Sequence, residues 1–448
     1  MKRKVCAVVI YLLMMIVVLG IVQEILKAKF MQDSTVIVDG FYAEKKNDID
    51  VLFIGSSNCF CTIDPLVLYE EYGIASYNFA SSSQSMDISL LYLKEALKRQ
   101  NPKVVALEVN YIPGQNVAAL GEDSILWGLT NMPLSVDKLK CLYQLLGKVD
   151  EEYISYAFPM LRYHERWKEL SKQDYIYLLE DKRNWNKGYM RTYQISDAPV
   201  DLSAYAQEGS AWLDERAMVC LENMADICKE EGITLVLFKS PKADWYQYFS
   251  TEIEAVAEEN NLTFIDYNAL IQEVGLNVAT DFRDSYHLNV QGAAKVSSHM
   301  GAYLKEHFEL TDRRVDEGDN SWDVALAYQE RINLTESYFA DATTVTECKE
   351  MLDEKEDYAS ILTYKGGKDK VQYQWIYVEG EPVFSNVWQE DGVLHKKVEN
   401  MEVVFVRERK ILNVLIEGEN YYDPQKNWSV IVYDLKTDEI VAQLSFDE

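Results

Sequence analysis

Val5–Val22 is a run of eighteen residues without a charge. As a helix rising 1.5 Å per residue it spans about 27 Å, close to the hydrocarbon thickness of a bilayer. It exceeds the roughly 7–15-residue core of a removable signal peptide, and no small-x-small cleavage site follows it. Lys2, Arg3 and Lys4 precede the run; Gln23, Glu24 and Lys27 close it. Basic residues ahead of such a span keep that end in the cytoplasm. The expectation is a single-pass signal anchor over residues 1–29, with a cleaved signal as the alternative. Either way the body lies outside the cytoplasm, held at the cell membrane in the first case. Residues 30–47 read as a stalk.

Beyond the stalk the pattern alternates. Short apolar runs predict strands at Val51–Ile54, Ile74–Phe79, Lys103–Val109, Ile233–Phe238 and Leu262–Asp266. Helical spacing predicts helices at Ser85–Arg99, Ala211–Glu231, Glu252–Asn260 and Gln291–Glu306. Strands alternating with helices imply an α/β fold over residues 48–310, a flavodoxin-like parallel sheet with helices on both faces. Residues 113–210 interrupt it with an insertion rich in Tyr and Trp, either a substrate wall or a set of packed helices. Residues 311–360 read as a charged, then helical linker. Residues 361–448 alternate in short strands and form a β-rich domain.

Composition narrows the function. The formal charge is -29 from 44 Lys+Arg against 73 Asp+Glu. A nucleic-acid binder needs a cationic face, so that class is excluded. The last 138 residues hold 30 acidic and 15 basic residues, just over half of the excess. Seven cysteines are too sparse for a disulfide scaffold, and no Cys/His spacing suits a metal. No cofactor is expected. The 30 tyrosines suit flat polar ligands such as sugars, or simply packed strands and helix faces.

Two segments carry chemistry. Ser57 follows the first strand on a Gly-Ser-Ser turn, and Asp284-Ser285-Tyr286-His287 stands just before the last helix. A serine hydroxyl is a weak nucleophile until a base takes its proton, and histidine is the usual base. An aspartate three residues earlier braces the imidazole. Of five histidines only His287 has an acid at that spacing in a loop; His164, His299, His307 and His395 do not. His164 and Arg166, in the aromatic insertion, are candidate substrate contacts, or else surface or packing residues. Lys239-Ser240-Pro241-Lys242, after the fourth strand, is a candidate substrate-facing loop.

The strand-G-S-S-N block at 51–58 together with DSYHLNVQG at 284–292 resembles the SGNH (GDSL-type) hydrolase and acyltransferase superfamily. It is most similar to the membrane-anchored branch with the D-alanyl transfer protein of teichoic acid synthesis and the alginate O-acetylation proteins. The resemblance covers about residues 48–306. It implies Ser57 as nucleophile, His287 as base and Asp284 as its orienter. It also implies oxyanion donors at Ala80, where the family has glycine, and at Asn110, where the usual G-x-N-D context is absent and Glu108 stands nearby. Ala serves as the backbone donor only if its φ is negative.

More weakly, residues 411–447 resemble the end of the interleukin-like EMT-inducer fold, a small β sandwich; an unrelated β domain is the alternative. The resemblances imply serine-dependent acyl-ester chemistry outside the cytoplasm, O-acyl (acetyl) transfer to or from a cell-envelope polysaccharide of a bacterium. The partners would be that glycan and a membrane protein that supplies acyl groups. A carbohydrate esterase or deacetylase is the nearest alternative, and a non-catalytic glycan-binding or assembly protein the alternative from another class.

Overall fold

The computed structural model describes residues 2–27, 32–114, 121–170, 174–175, 177–178, 182–315, 320–340, 342–353, 357–365, 372–388, 392–398, 401–408, 411–416, 419–421, 426–436 and 439–447. Parts of the expected stalk, insertion, charged linker and β-rich domain lie outside these residues. The chain divides into two compact units, Met1–Trp322 and Asp323–Glu448.

The first unit opens with helix α1 (Lys2–Leu26), whose described apolar side chains from Val9 to Ile21 are mostly exposed. It is long and apolar enough to cross a membrane. Helix α2 (Gln32–Ala43) follows where a stalk was expected. Val38 and Phe41 are fully buried, and Phe41 stacks on Phe79 with centroids 3.9 Å apart. Tyr77 Oη donates to Ile37 O at 2.8 Å. Apolar residues at helical spacing, in a segment too short to stand alone, explain why it packs instead.

Five parallel strands form the sheet: β1 (Val51–Ile54), β2 (Ser76–Asn78), β3 (Val104–Glu108), β4 (Thr234–Lys239) and β5 (Thr263–Asp266). Their order is β2-β1-β3-β4-β5, the flavodoxin-like order. β2 is shorter than the predicted Ile74–Phe79, although Phe79 N–H still donates to Phe53 O at 2.8 Å. β1 to β4 are buried along almost their whole length, the reason they read as continuous apolar runs, while β5 is exposed at its start.

After β1 come α3 (Ser57–Thr62) and α4 (Pro65–Tyr72). After β2 comes α5 (Met86–Leu97), capped by Ser85. The insertion holds α6 (Glu122–Leu129), α7 (Val136–Leu146), α8 (Glu151–Ala157), α9 (Pro159–Arg162) and a 3-10 turn at His164–Lys168. α10 (Glu215–Glu230) and α11 (Gln247–Glu259) flank β4, and α12 (Ile271–Val274) and α13 (Val290–His307) close the unit. α4 packs on α13 and α5 on α10. Right-handed crossovers place α4 and the α5–α10 pair on opposite faces, because β1 to β2 runs opposite in direction to β2 through β5; α13, after the last strand, packs on α4. The reversal makes a switch point between β1 and β3, where open α/β sheets build their crevices.

The second unit carries α14 (Ser321–Ala340, beginning at the division) and α15 (Val345–Asp353). Its strands form one sheet of four and one of five, all antiparallel pairs. Ala359, Ile361, Ile376 and Ile431 of one sheet share a core with Val403, Phe405, Val414 and Ile416 of the other. Period-2 alternation of these residues places one face of each sheet inward.

Candidate active site

Ser56 ends the extended chain after β1 and caps α3: its Oγ accepts from Asn58 N–H at 3.3 Å. Ser57 is therefore the first helical residue, partly exposed between buried Ser56 and Asn58. Asn289 caps α13 in the same way, taking the N–H groups of Gln291 and Gly292. The loop before it, 283–288, is closed on itself by Arg283 N–H to His287 O at 3.1 Å. Two capped helix starts thus hold the two chemical loops.

The loops meet. His287 Nε2 lies 2.9 Å from Ser57 Oγ, and His287 Nδ1 lies 3.0 and 3.1 Å from the two carboxylate oxygens of Asp284. His287 is largely buried and Asp284 half-exposed. Asp284 Oδ1 also accepts from the N–H groups of Tyr286 (2.7 Å) and His287 (2.9 Å), and Oδ2 from Arg283 Nε (3.2 Å). Burial pushes the Asp284 carboxyl up. The bond and charge of His287, the Tyr286 N–H and the Arg283 cation outweigh it, leaving Asp284 well below the usual carboxylate range.

Three further contacts lock the loops. Asn58 Nδ2 donates to Tyr286 O at 2.7 Å, Ser240 Oγ to Asn58 O at 3.0 Å, and Ala243 N–H to Ser285 O at 2.8 Å. The Tyr286 ring stays 47% exposed, with its centroid 6.4 Å from that of His287.

Ala80 has no left-handed backbone; it is absent from the positive-φ residues among those described. The condition for alanine at a glycine donor position is met. The N–H groups on either side, of Phe79 and Ser81, go to Phe53 O and Gly55 O of the β1 segment. Asn110 is buried at the carboxyl end of β3, where its side chain meets Tyr111.

Other expected residues lie elsewhere. Arg166 Nη1 donates to Leu26 O at 3.0 Å and to Lys27 O, and Nη2 pairs with Asp174 at 2.8 Å. These contacts cap the end of α1 instead of lining the Ser57 loop. His164 is exposed and bonds Leu161 O at 2.7 Å. Lys239, expected on a substrate-facing loop, is fully buried against Glu108 and the Trp245 ring. Burial pushes its pKa down to about 8.

Sequence reasoning missed the strap at 184–196. Lys187 O accepts from Asn78 N–H at 3.0 Å, and Met190 N–H reaches Phe60 O at 2.9 Å. Ser196 N–H reaches Phe282 O at 2.8 Å, and Thr192 O accepts from Val290 N–H at 2.9 Å. One irregular segment thus ties β2, α3 and the His287 loop together. Gly188 (φ 83) was its one signal: an added Cβ would lie 2.2 Å from Asn78 O.

A comparison of the chain with protein-family models and with curated proteins returns no match.

Proposed function

We propose that this protein performs serine-dependent acyl-ester chemistry outside the cytoplasm, as an O-acyltransferase acting on a cell-envelope polysaccharide. The observation that carries the reading is the chain Ser57 Oγ–His287–Asp284 at 2.9 and 3.0 Å, at the carboxyl edge of the sheet. The sheet order, the serine turn after β1 and the D-x-x-H loop before the last helix support an SGNH-type fold. The apolar α1, with Lys2–Lys4 in its first turn, supports an anchored body facing outward.

Ser57 Oγ attacks the carbonyl carbon of an acyl donor, and its proton passes to His287 Nε2. His287 returns that proton to the departing oxygen as the tetrahedral intermediate collapses, leaving an ester on Ser57. An acceptor hydroxyl then gives its proton to His287 and attacks the ester, and collapse releases Ser57 with its proton restored. Asp284 holds Nδ1–H, so Nε2 is the free base and the imidazolium is stabilised when it forms. Ala80 N–H and Asn110 Nδ2 are the proposed oxyanion donors, each contributing about 10²–10³ in rate. A glycan hydroxyl as acceptor makes the enzyme a transferase; water makes it an esterase. The β-rich unit serves as a binding or packing module.

The test uses the full chain in detergent, with an aryl acetate and peptide mass measurement. Turnover, an acyl group on the Ser57 peptide, and loss of both in Ser57→Ala are expected. Unchanged turnover in Ser57→Ala overturns the mechanism. Neither turnover nor an acylated peptide with any donor points to a glycan-binding or assembly role.

A further inference from the structure

Beneath the Ser57 turn lies a buried ion pair that the acyl chemistry does not use. Glu108 ends β3 and Lys239 ends the adjacent β4. Lys239 Nζ reaches Glu108 Oε1 at 3.3 Å, with side-chain exposures of 0% and 1%. Lys239 Nζ also donates to Ser240 O at 2.6 Å and stands 4.9 Å from the Trp245 ring. The other carboxylate oxygen, Oε2, accepts from Ser56 Oγ at 3.1 Å.

We propose that Glu108 and Lys239 are positioning residues for Ser57, acting through Ser56. The inference rests on the reading of Ser57 as nucleophile. A serine hydroxyl has one proton to give. Ser56 gives it to Glu108, so its lone pairs face Asn58 N–H and complete the cap of α3. That fixes the Ser56 side chain and, with it, the backbone that carries Ser57. The far end of the same three-residue stretch is held by Ser240 Oγ on Asn58 O, and Ser240 O is the carbonyl that Lys239 holds. Asn58 Nδ2 then continues to Tyr286 O in the histidine loop. One buried pair therefore grips both ends of Ser56–Asn58 and reaches the His287 loop through them.

Gly55 belongs to the same device. A Cβ there would lie 2.5 Å from Glu108 Cβ, so its missing side chain is the room in which Glu108 passes under the turn. Stability alone is a poor reason for the pair. Desolvation offsets most of the attraction between buried charges, and apolar residues of similar volume often hold a fold as well. What apolar residues cannot do is accept the Ser56 proton. A displacement of about 1 Å at a reacting group can cost on the order of 10²-fold in rate.

The test measures phosphonylation of the full chain in detergent by an aryl fluorophosphonate. In this probe Ser57 Oγ bonds to phosphorus, fluoride leaves, and the serine proton departs through His287. The variants are Ser56→Ala, Glu108→Gln, Lys239→Met and the apolar double variant Glu108→Leu/Lys239→Met. Single members of the pair leave a buried charge or orphaned partner and are expected to lose thermal stability. The double variant leaves no buried charge unpaired and is expected to melt above either single variant yet label about 10–100-fold more slowly than wild type, in the maximal rate and not in probe affinity. Ser56→Ala is expected to label equally slowly with the pair intact. Wild-type labelling rates in the folded double variant and in Ser56→Ala overturn the proposal. Failure of wild type to label counts against Ser57 as nucleophile instead. The positioning claim is then decided by crystal structures: the Ser57 Oγ–His287 Nε2 contact lengthens beyond hydrogen-bond reach in the double variant, or the claim falls.

Discussion

His287 Nε2 and Ser57 Oγ stand 2.9 Å apart across 230 positions of sequence. Neither residue's neighbourhood in the chain makes this contact. β1 and the segment entering α13 both deliver their loops to the carboxyl edge of one parallel sheet, beside the switch point between β1 and β3. The imidazole is held by both oxygens of Asp284, and its loop is tied to α3 by the bond from Asn58 Nδ2 to Tyr286 O. The loop thus fixes the ring.

Asp284→Asn keeps the shape of this loop but presents an amide to Nδ1. That favours the tautomer with its proton on Nε2, which cannot accept from Ser57. Aryl acetate turnover is expected to fall by about 10²–10⁴-fold with the fold retained. Circular dichroism alongside turnover checks this. A variant with more than about half the wild-type rate means Asp284 does not set the tautomer.

The same carboxylate sets an acid limb of stability. Its folded pKa lies below its unfolded value of about 3.9. Its contribution is therefore fully present above that value and is lost as pH falls through the lower, folded one. The gap in melting temperature between wild type and Asp284→Asn should narrow as pH falls below about pH 4. A gap that widens on acidification would show that burial, and not the His287, Tyr286 and Arg283 contacts, dominates this carboxyl.

Much of the sheet was legible because buried parallel strands are written as apolar runs: Val51–Ile54 is a strand to the residue, and Lys103–Val109 overshoots β3 by one residue at each end. Ser57 and His287 were legible because a strand, a small-residue turn and a D-x-x-H loop each leave a local mark. Partnerships between distant residues leave none. Lys239 reads as an exposed loop lysine until β4 is seen beside β3 with Glu108 as its neighbour. Arg166 reads as a substrate, surface or packing cation, and nothing local names the end of α1 as its partner. The strap at 184–196 has no periodicity, since its N–H and C=O groups pair with three different elements.

Gly55→Ala tests the closeness of the turn to the sheet. Gly55 does not have a positive φ, so backbone strain is not the issue. The new Cβ would sit 2.5 Å from Glu108 Cβ and 2.8 Å from Cys59 Cβ. Overpacking of this kind costs about 1–3 kcal/mol. Chemical denaturation should register that loss, and turnover should fall further than stability does, because the displaced segment carries Ser57. An unchanged midpoint with full turnover would mean the turn has slack.

Arg166→Ala tests whether the insertion fastens the N-terminal helix to the body. The last carbonyls of a helix lack intrahelical donors, and a guanidinium there also meets the negative end of the helix dipole. Arg166 serves Leu26 O and Lys27 O while Asp174, itself buried, neutralises it. A hydrogen bond involving a charged group contributes about 1.5–3 kcal/mol. Its removal should make the end of α1 open roughly 10–100-fold more often, by that same energy. Hydrogen exchange of the full chain in detergent reads this at the Lys27 amide, which bonds Gln23 O at 2.8 Å. Exchange at Lys27 should accelerate by that factor while β3 and β4 amides keep their wild-type rates. Uniform acceleration would instead place Arg166 in the stability of the whole unit, and no acceleration would mean that other contacts hold α1.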